Sequence, residues 1–253
     1  MDLNKCKVLS TSDFCSTFQG LDDKYSDVDE FSIVLQPLYN SVFQNLKDGS
    51  KHVGEHRYYS IERFINLSLK GSFDNLLLLA SQLVNCRYTS INQAIFKDFY
   101  CNEHLFSDLV YSRQKTYANS LMGIINQSIN QQDKKPNEYG KTMVKKVAFM
   151  NRLHSFLKSI ENDDVFDFNT FIKPDVNLNM LHVDDVLPYK RYTYADWFSD
   201  EKTMGIYYKI EKDVRTIEKL YHSTKLNNSE FEYENKLKKK VLEYIVSHND
   251  TLI

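Results

Sequence analysis

A chain of 253 residues that is 42% hydrophobic and 13% aromatic carries enough apolar surface for a folded core, which excludes global disorder. Lys and Arg total 32 against 34 Asp and Glu, and the resulting net charge of −2 excludes a global basic field for holding nucleic acid. Only 7 Gly and 4 Pro punctuate the chain, and no glycine falls in a phosphate-loop or dinucleotide-binding spacing. Tight turns and sheet-rich folds depend on these two residues. Their scarcity predicts an all-α fold, an irregular helical bundle or short superhelix of about eight helices.

Residues 1–27 are polar and irregular and read as a loosely ordered lead-in. Residues 28–132 read as an N-terminal helical part. From Phe31 the apolar residues Val34, Leu35, Leu38, Val42, Phe43 and Leu46 recur at helical spacing, with Pro37 at a start or a kink. A second helix is expected from about Glu55 to Lys70, with Gly71 as its C-terminal cap. A third, capped by Ser72, carries Phe73, Leu76, Leu77, Leu79, Ala80 and Leu83. It is apolar nearly all round, which places it at the hydrophobic centre. A fourth opens at Ser90, and a fifth, long helix runs from Glu103 to about Gln132.

The polar stretch 130–141 is the clearest linker. Residues 142–253 read as a C-terminal helical part, packed with the first as one domain. Thr142 caps a sixth helix bearing Val144, Val147, Phe149, Met150, Leu153, Phe156, Leu157 and Ile160. Residues 163–193 have two prolines and no sustained helical period. They are expected to form an extended, irregular strap pinned by Phe166, Phe168, Phe171, Leu178, Leu181 and Val186. A helix from about Ser199 to Thr224 follows, and Ser229 caps a last one with Phe231, Leu237, Val241, Leu242 and Ile245.

The four cysteines, at 6, 15, 86 and 101, contain no Cys-x-x-Cys pair and read as reduced thiols. The N-terminus has no apolar core of signal-peptide length, and no apolar run is long enough to span a bilayer. An intracellular protein of cytoplasm or nucleus, with no membrane contact, is the expectation.

Three segments offer chemistry. His52-Val53-Gly54-Glu55-His56 fits H-x-x-E-H and resembles the motif of the inverted-motif zinc peptidases. That resemblance implies His52 and His56 as ligands, Glu55 as base and a downstream carboxylate such as Glu138. Gly49 and Gly54 place His52 in a turn, so the segment reads as a helix-entry loop with two exposed histidines and no metal.

Arg215 and His222 are two helical turns apart and project from one helix face. An Arg followed by a His at this interval resembles the active-site motif of HEPN-type ribonucleases, which are all-helical and usually dimeric. The resemblance implies metal-independent cleavage of RNA, with activation of the ribose 2′-hydroxyl and neutralisation of the phosphorane charge. Two solvent-facing residues of an amphipathic helix are the alternative.

Tyr189, Lys190, Arg191, Tyr192, Tyr194 and Trp197 form a basic, aromatic strip. Such residues dominate protein interfaces, and they also stack bases. In the alternative, Trp197 belongs to the core and the cations lie along its edge.

The leading reading is a non-catalytic helical scaffold or adaptor subunit of an intracellular multiprotein complex, using this strip and no cofactor. A HEPN-like endoribonuclease using Arg215 and His222 comes second, and an RNA-binding module third.

Overall fold

This computed structural model describes residues 1–14, 21, 29–37, 50–71, 73–84, 103–131, 136–162, 166, 171–174, 176 and 179–248. They form two compact units, Met1–Arg113 with Ser229–Ile253, and Gln114–Asn228. Among the described residues there are nine α-helices and a four-stranded mixed sheet, so the chain is predominantly helical but not all-α.

The sheet belongs to the first unit. Strands β1 (Lys7–Phe14), β2 (Asp29–Leu35), β3 (Ser50–Val53) and β4 (His56–Ser60) are ordered β1-β2-β4-β3. β1 pairs antiparallel with β2, β2 parallel with β4, and β3 antiparallel with β4. The expected lead-in is therefore, in part, an edge strand. The expected helix from Phe31 is, as far as Leu35, an inner strand, and residues 38–49 lie outside the described residues. Phe31, Ser32, Ile33, Val34 and Leu35 are all buried. A strand covered on both faces reads as a continuous apolar run without alternation, which helical spacing also fits. The β-branched pair Ile33-Val34 was the feature favouring a strand.

Residues 55–60, expected as helix, supply the β3–β4 turn and β4. Helix α1 (Ile61–Lys70) starts only after them. Ser60 Oγ caps it by accepting from Arg63 N–H at 3.3 Å. Gly71 closes it in the left-handed region at φ 73°, donating to the Ser68 carbonyl at 3.0 Å. A side chain at Gly71 would also meet Arg113 Cβ at 2.6 Å, so glycine is required there twice over. The α1 face carrying Phe64 packs on the sheet, with the Phe31 and Phe64 ring centroids 5.6 Å apart.

Helix α2 (Phe73–Val84) packs against β1, and Leu76 to Ala80 are buried without a break. It is the buried helix that its all-round apolar pattern implies. Ser72, its expected cap, and the expected helix from Ser90 lie outside the described residues. The expected fifth helix is two, α3 (Glu103–Ser112) and α4 (Gln114–Gln131), interrupted at Arg113. Helix α9 (Glu234–His248) returns to the first unit and packs beside α1, burying Leu237, Val241 and Ile245. It begins after Ser229, the expected cap, and Leu242 is exposed.

In the second unit α5 (Tyr139–Asn162) packs against α4 and α8 (Glu201–Ser223). It begins before Thr142, its expected cap. Asn228 caps α4 from across the unit, its Oδ1 accepting from Lys115 N–H at 3.1 Å and Thr116 N–H at 3.3 Å. The strap region is only partly irregular. Its described end forms the short helix α6 (Val183–Val186) and a 3-10 turn (Leu187–Tyr189), and Phe166, Phe171 and Val186 are buried. Leu181 is half-buried, and Phe168 and Leu178 lie outside the described residues. The helix expected from Ser199 is preceded by a further one, α7 (Tyr194–Ser199). Among the described residues no helix is long and apolar enough to cross a membrane.

Candidate functional site

The aromatic strip forms a layer around the N-terminus of α5 in the second unit. Thr193 opens α7 with a capping box: its Oγ accepts from Asp196 N–H at 3.3 Å, and Asp196 Oδ2 accepts from Thr193 N–H at 2.8 Å. These hydrogen bonds from Thr193 hold the Asp196 carboxyl below its usual range. The box sets the direction of α7, which turns Trp197 inward, with no exposure, and leaves Tyr194 outside at 44%. Trp197 is thus a core residue rather than part of a partner-binding surface.

Tyr139 is the hub of the layer. Its ring lies 5.2 Å from Tyr194, 5.9 Å from Trp197 and 5.9 Å from Phe198, with interplanar angles from 60° to 85°. Edge-to-face contacts of this kind add about 0.5–1.5 kcal/mol each beyond burial. Next along the chain, Gly140 donates to the Tyr192 carbonyl at 2.8 Å. A Cβ on Gly140 would stand 2.1 Å from the Tyr189 carbonyl oxygen, so the loop carrying Tyr189 to Tyr192 can close on α5 only over glycine.

From Tyr194 the layer continues outward through Phe198 (4.6 Å) and Tyr207 (5.2 Å) to Tyr208, which is 69% exposed. Tyr189 and Tyr192 are half-buried, Lys190 is buried and Arg191 is exposed. Lys202 lies over the Tyr189 ring at 5.8 Å, and a hydrogen bond to the Tyr189 hydroxyl raises its pKa. The sequence reading found Tyr189 to Tyr194, with Trp197 and Phe198 as the packing alternative, but missed Tyr207 and Tyr208. The chain breaks at Asp200 between α7 and α8, so no single helical period links Tyr208 to Tyr194 in the sequence.

The His52–His56 segment is a β-hairpin turn, not a helix entry. Gly54 takes φ 60° at its tip. His52 faces Arg57 across the pair and Val53 faces His56. Alternation along a strand therefore sends the two imidazoles to opposite faces. His56 Nε2 lies 2.7 Å from Ser32 Oγ, and His56 Nδ1 lies 3.2 Å from Glu30 Oε2. This is the atom order of a serine nucleophile, its base and an orienting carboxylate, and no spacing rule in the sequence pointed to it. Ser32 is fully buried, however, and its Oγ also lies 2.7 Å from Thr11 Oγ1. The row runs across β1, β2 and β4 as a polar strut. Glu138 is exposed on a 3-10 turn of the second unit. No group of three or more His, Cys, Asp or Glu among the described residues could hold a metal ion.

Arg215 and His222 are both on α8, both exposed and on one face. His222 contacts the Tyr221 ring at 5.1 Å.

The sequence reading also missed the polar residues buried on α5. Lys146 is fully buried and bonds Glu211 at 2.9 Å. Asn151 ties the strap to α5, donating to the Leu181 carbonyl at 2.9 Å and accepting from Val183 N–H at 3.0 Å. Asp213, on α8, accepts from Leu181 N–H at 2.9 Å and from Lys209. His154 is buried, with no hydrogen-bond partner for its Nδ1 among the described residues. Burial lowers its pKa from 6.5, and Lys158 lowers it further, against Glu161 and Asp213. Below pH 6.5 the unfolded chain therefore binds a proton that folded His154 still refuses. Stability is expected to fall as pH drops through that range, and His154→Gln should flatten the dependence. Urea melts at several pH values check this; an unchanged slope in the variant would remove His154 from the account.

No protein-family model matches this chain, and no curated protein matches it.

Proposed function

We propose that this chain is a non-catalytic helical adaptor of an intracellular multiprotein complex, and that it holds a protein partner on the aromatic face of its second unit. One observation carries the reading: the continuous layer that is anchored by Trp197 and Tyr139 and ends in the exposed rings of Tyr194 and Tyr208. Tyrosines of this kind offer large contact area at small cost in side-chain entropy, and a rigid backing raises what each contributes. Arg191, exposed on the same loop, supplies a charge for the rim.

The test is capture from an extract of the source cells by tagged wild type and by the double variant Arg191→Ala, Tyr194→Ala. The variant should lose a co-purifying chain that the wild type retains, with an unchanged helical circular-dichroism signal. The contact is mainly apolar, so raising salt should weaken capture only modestly. Equal capture by both proteins would move the interface elsewhere.

A further inference from the structure

We propose that the solvent face of α8 binds single-stranded nucleic acid through its phosphates. Tyr208, Lys212, Arg215, Lys219 and His222 follow one another on α8 at intervals of four, three, four and three residues, and all five are exposed. That spacing keeps them in one stripe along the helix.

The cations of the stripe are unmatched. Among the described residues Lys212, Arg215 and Lys219 make no ion pair. The carboxylates of α8 are engaged or withdrawn: Glu211 is taken by the buried Lys146 at 2.9 Å, the buried Asp213 by Lys209, and Glu218 is half-buried. After Glu201 no carboxylate is exposed on the helix. A local field of this kind can hold a polyanion although the whole chain carries a net charge of −2.

Composition and spacing favour nucleic acid over an acidic protein segment. From Lys212 to Ser223 none of the exposed residues of α8 is apolar. Protein interfaces are depleted in Lys and have an apolar centre, whereas contacts to nucleic acid are dominated by cations on phosphates. Lys212 and Lys219 stand about 10 Å apart along the helix axis, roughly the rise of three stacked nucleotides.

Tyr208, at the head of the stripe and 69% exposed, offers a ring on which an unpaired base can stack. Gly205, one turn before it, is exposed, and a Cβ there would meet nothing within 4 Å, so the helix backbone lies open beside that ring. Arg215 and His222 act here in binding, and no bond is broken.

The test is fluorescence anisotropy of the full chain with labelled oligouridylate and oligothymidylate of about twelve nucleotides, a length within the usual range of single-strand sites. At about 50 mM salt both should bind saturably below about 100 µM, and log affinity should fall with log salt at a slope of roughly −2, as for three phosphate contacts. A duplex of the same length should bind more weakly, because it has no unpaired base for Tyr208. Lys212→Gln combined with Arg215→Gln and Lys219→Gln should weaken binding at least about tenfold and flatten the slope. Lys219→Glu, made alone, should act in the same direction if the triple variant melts early. Absence of saturable binding, a preference of more than about tenfold for one sugar, equal displacement by polyglutamate of the same charge, duplex bound as tightly as single strand, or wild-type affinity in the folded triple variant would each overturn the proposal. The protein-contact reading stands or falls separately: the triple variant keeps Arg191, Tyr194 and Tyr208 and should capture the protein partner as wild type does.

Discussion

Trp197→Ala is expected to destabilise the chain by about 3–5 kcal/mol, the range for truncating a buried Trp or Phe to Ala. The indole has no exposure and lies 5.9 Å from Tyr139 and 6.1 Å from Tyr189. Helix α7 has six residues, too few to persist without tertiary packing. Its direction also depends on the backbone at Trp197, whose N–H donates to Thr193 at 3.1 Å and whose carbonyl accepts from Thr203 Oγ1 at 2.7 Å. Removing the indole leaves a cavity under the exposed tyrosines. Tyr194→Ala, by contrast, should cost only about 1–2 kcal/mol, because it loses its ring contacts with Tyr139 and Phe198 but nearly half of that side chain is in water. Denaturant melts of the two variants compare these directly. Similar small losses in both would mean that Trp197 is not the anchor of the layer.

Arg152→Ala should be about as damaging, at roughly 3–5 kcal/mol. The guanidinium is 2% exposed and donates through Nε to the Phe171 carbonyl and through Nη2 to the Ile172 carbonyl, both at 3.1 Å. Burial pushes its pKa down to about 10, and burial raises that of the neighbouring Tyr117 phenol. A charge held at such cost has a fixed task, here the attachment of residues 171–172 to α5. Alanine strands two buried carbonyls and opens a void. Met would refill the void without restoring the bonds, so Arg152→Met should recover part of the loss and not all of it. A melt of Arg152→Ala within about 1 kcal/mol of wild type would contradict this role.

The long helices α5 and α8 of the second unit were legible because their apolar stripes keep a 3.6-residue period over several turns, whereas the short α6 and α7 were not. Gly71 was legible as a cap because only glycine occupies φ 73° without strain. The sheet was not, since β2 is buried on both faces and its run from Phe31 to Leu35 has no alternation to betray a strand. β1 is polar in sequence, with Ser10, Thr11 and Ser12 buried in the sheet, so it resembled a loop. The break at Arg113 left no proline or glycine. It depends on contacts to Leu69, Ser229 and Glu234, distant in sequence.

The candidate site was half legible. Residue types marked the strip, but inward and outward positions depend on the Thr193–Asp196 cap and on the approach of Gly140, which sequence spacing does not encode. The buried charges Lys146 and Arg152 were not singled out in the sequence, because their partners, Glu211 and the carbonyls of residues 171–172, lie far along the chain.

The central claim is that the exposed end of the aromatic layer is the binding surface. It is tested most directly by the affinity of the captured partner for wild type and for Tyr194→Ala combined with Tyr208→Ala, measured alongside thermal melts. The account predicts at least about a tenfold loss of affinity in a variant that still melts cooperatively above the assay temperature, because both rings are interface anchors and neither is a core residue. Wild-type affinity in the folded double variant would contradict it.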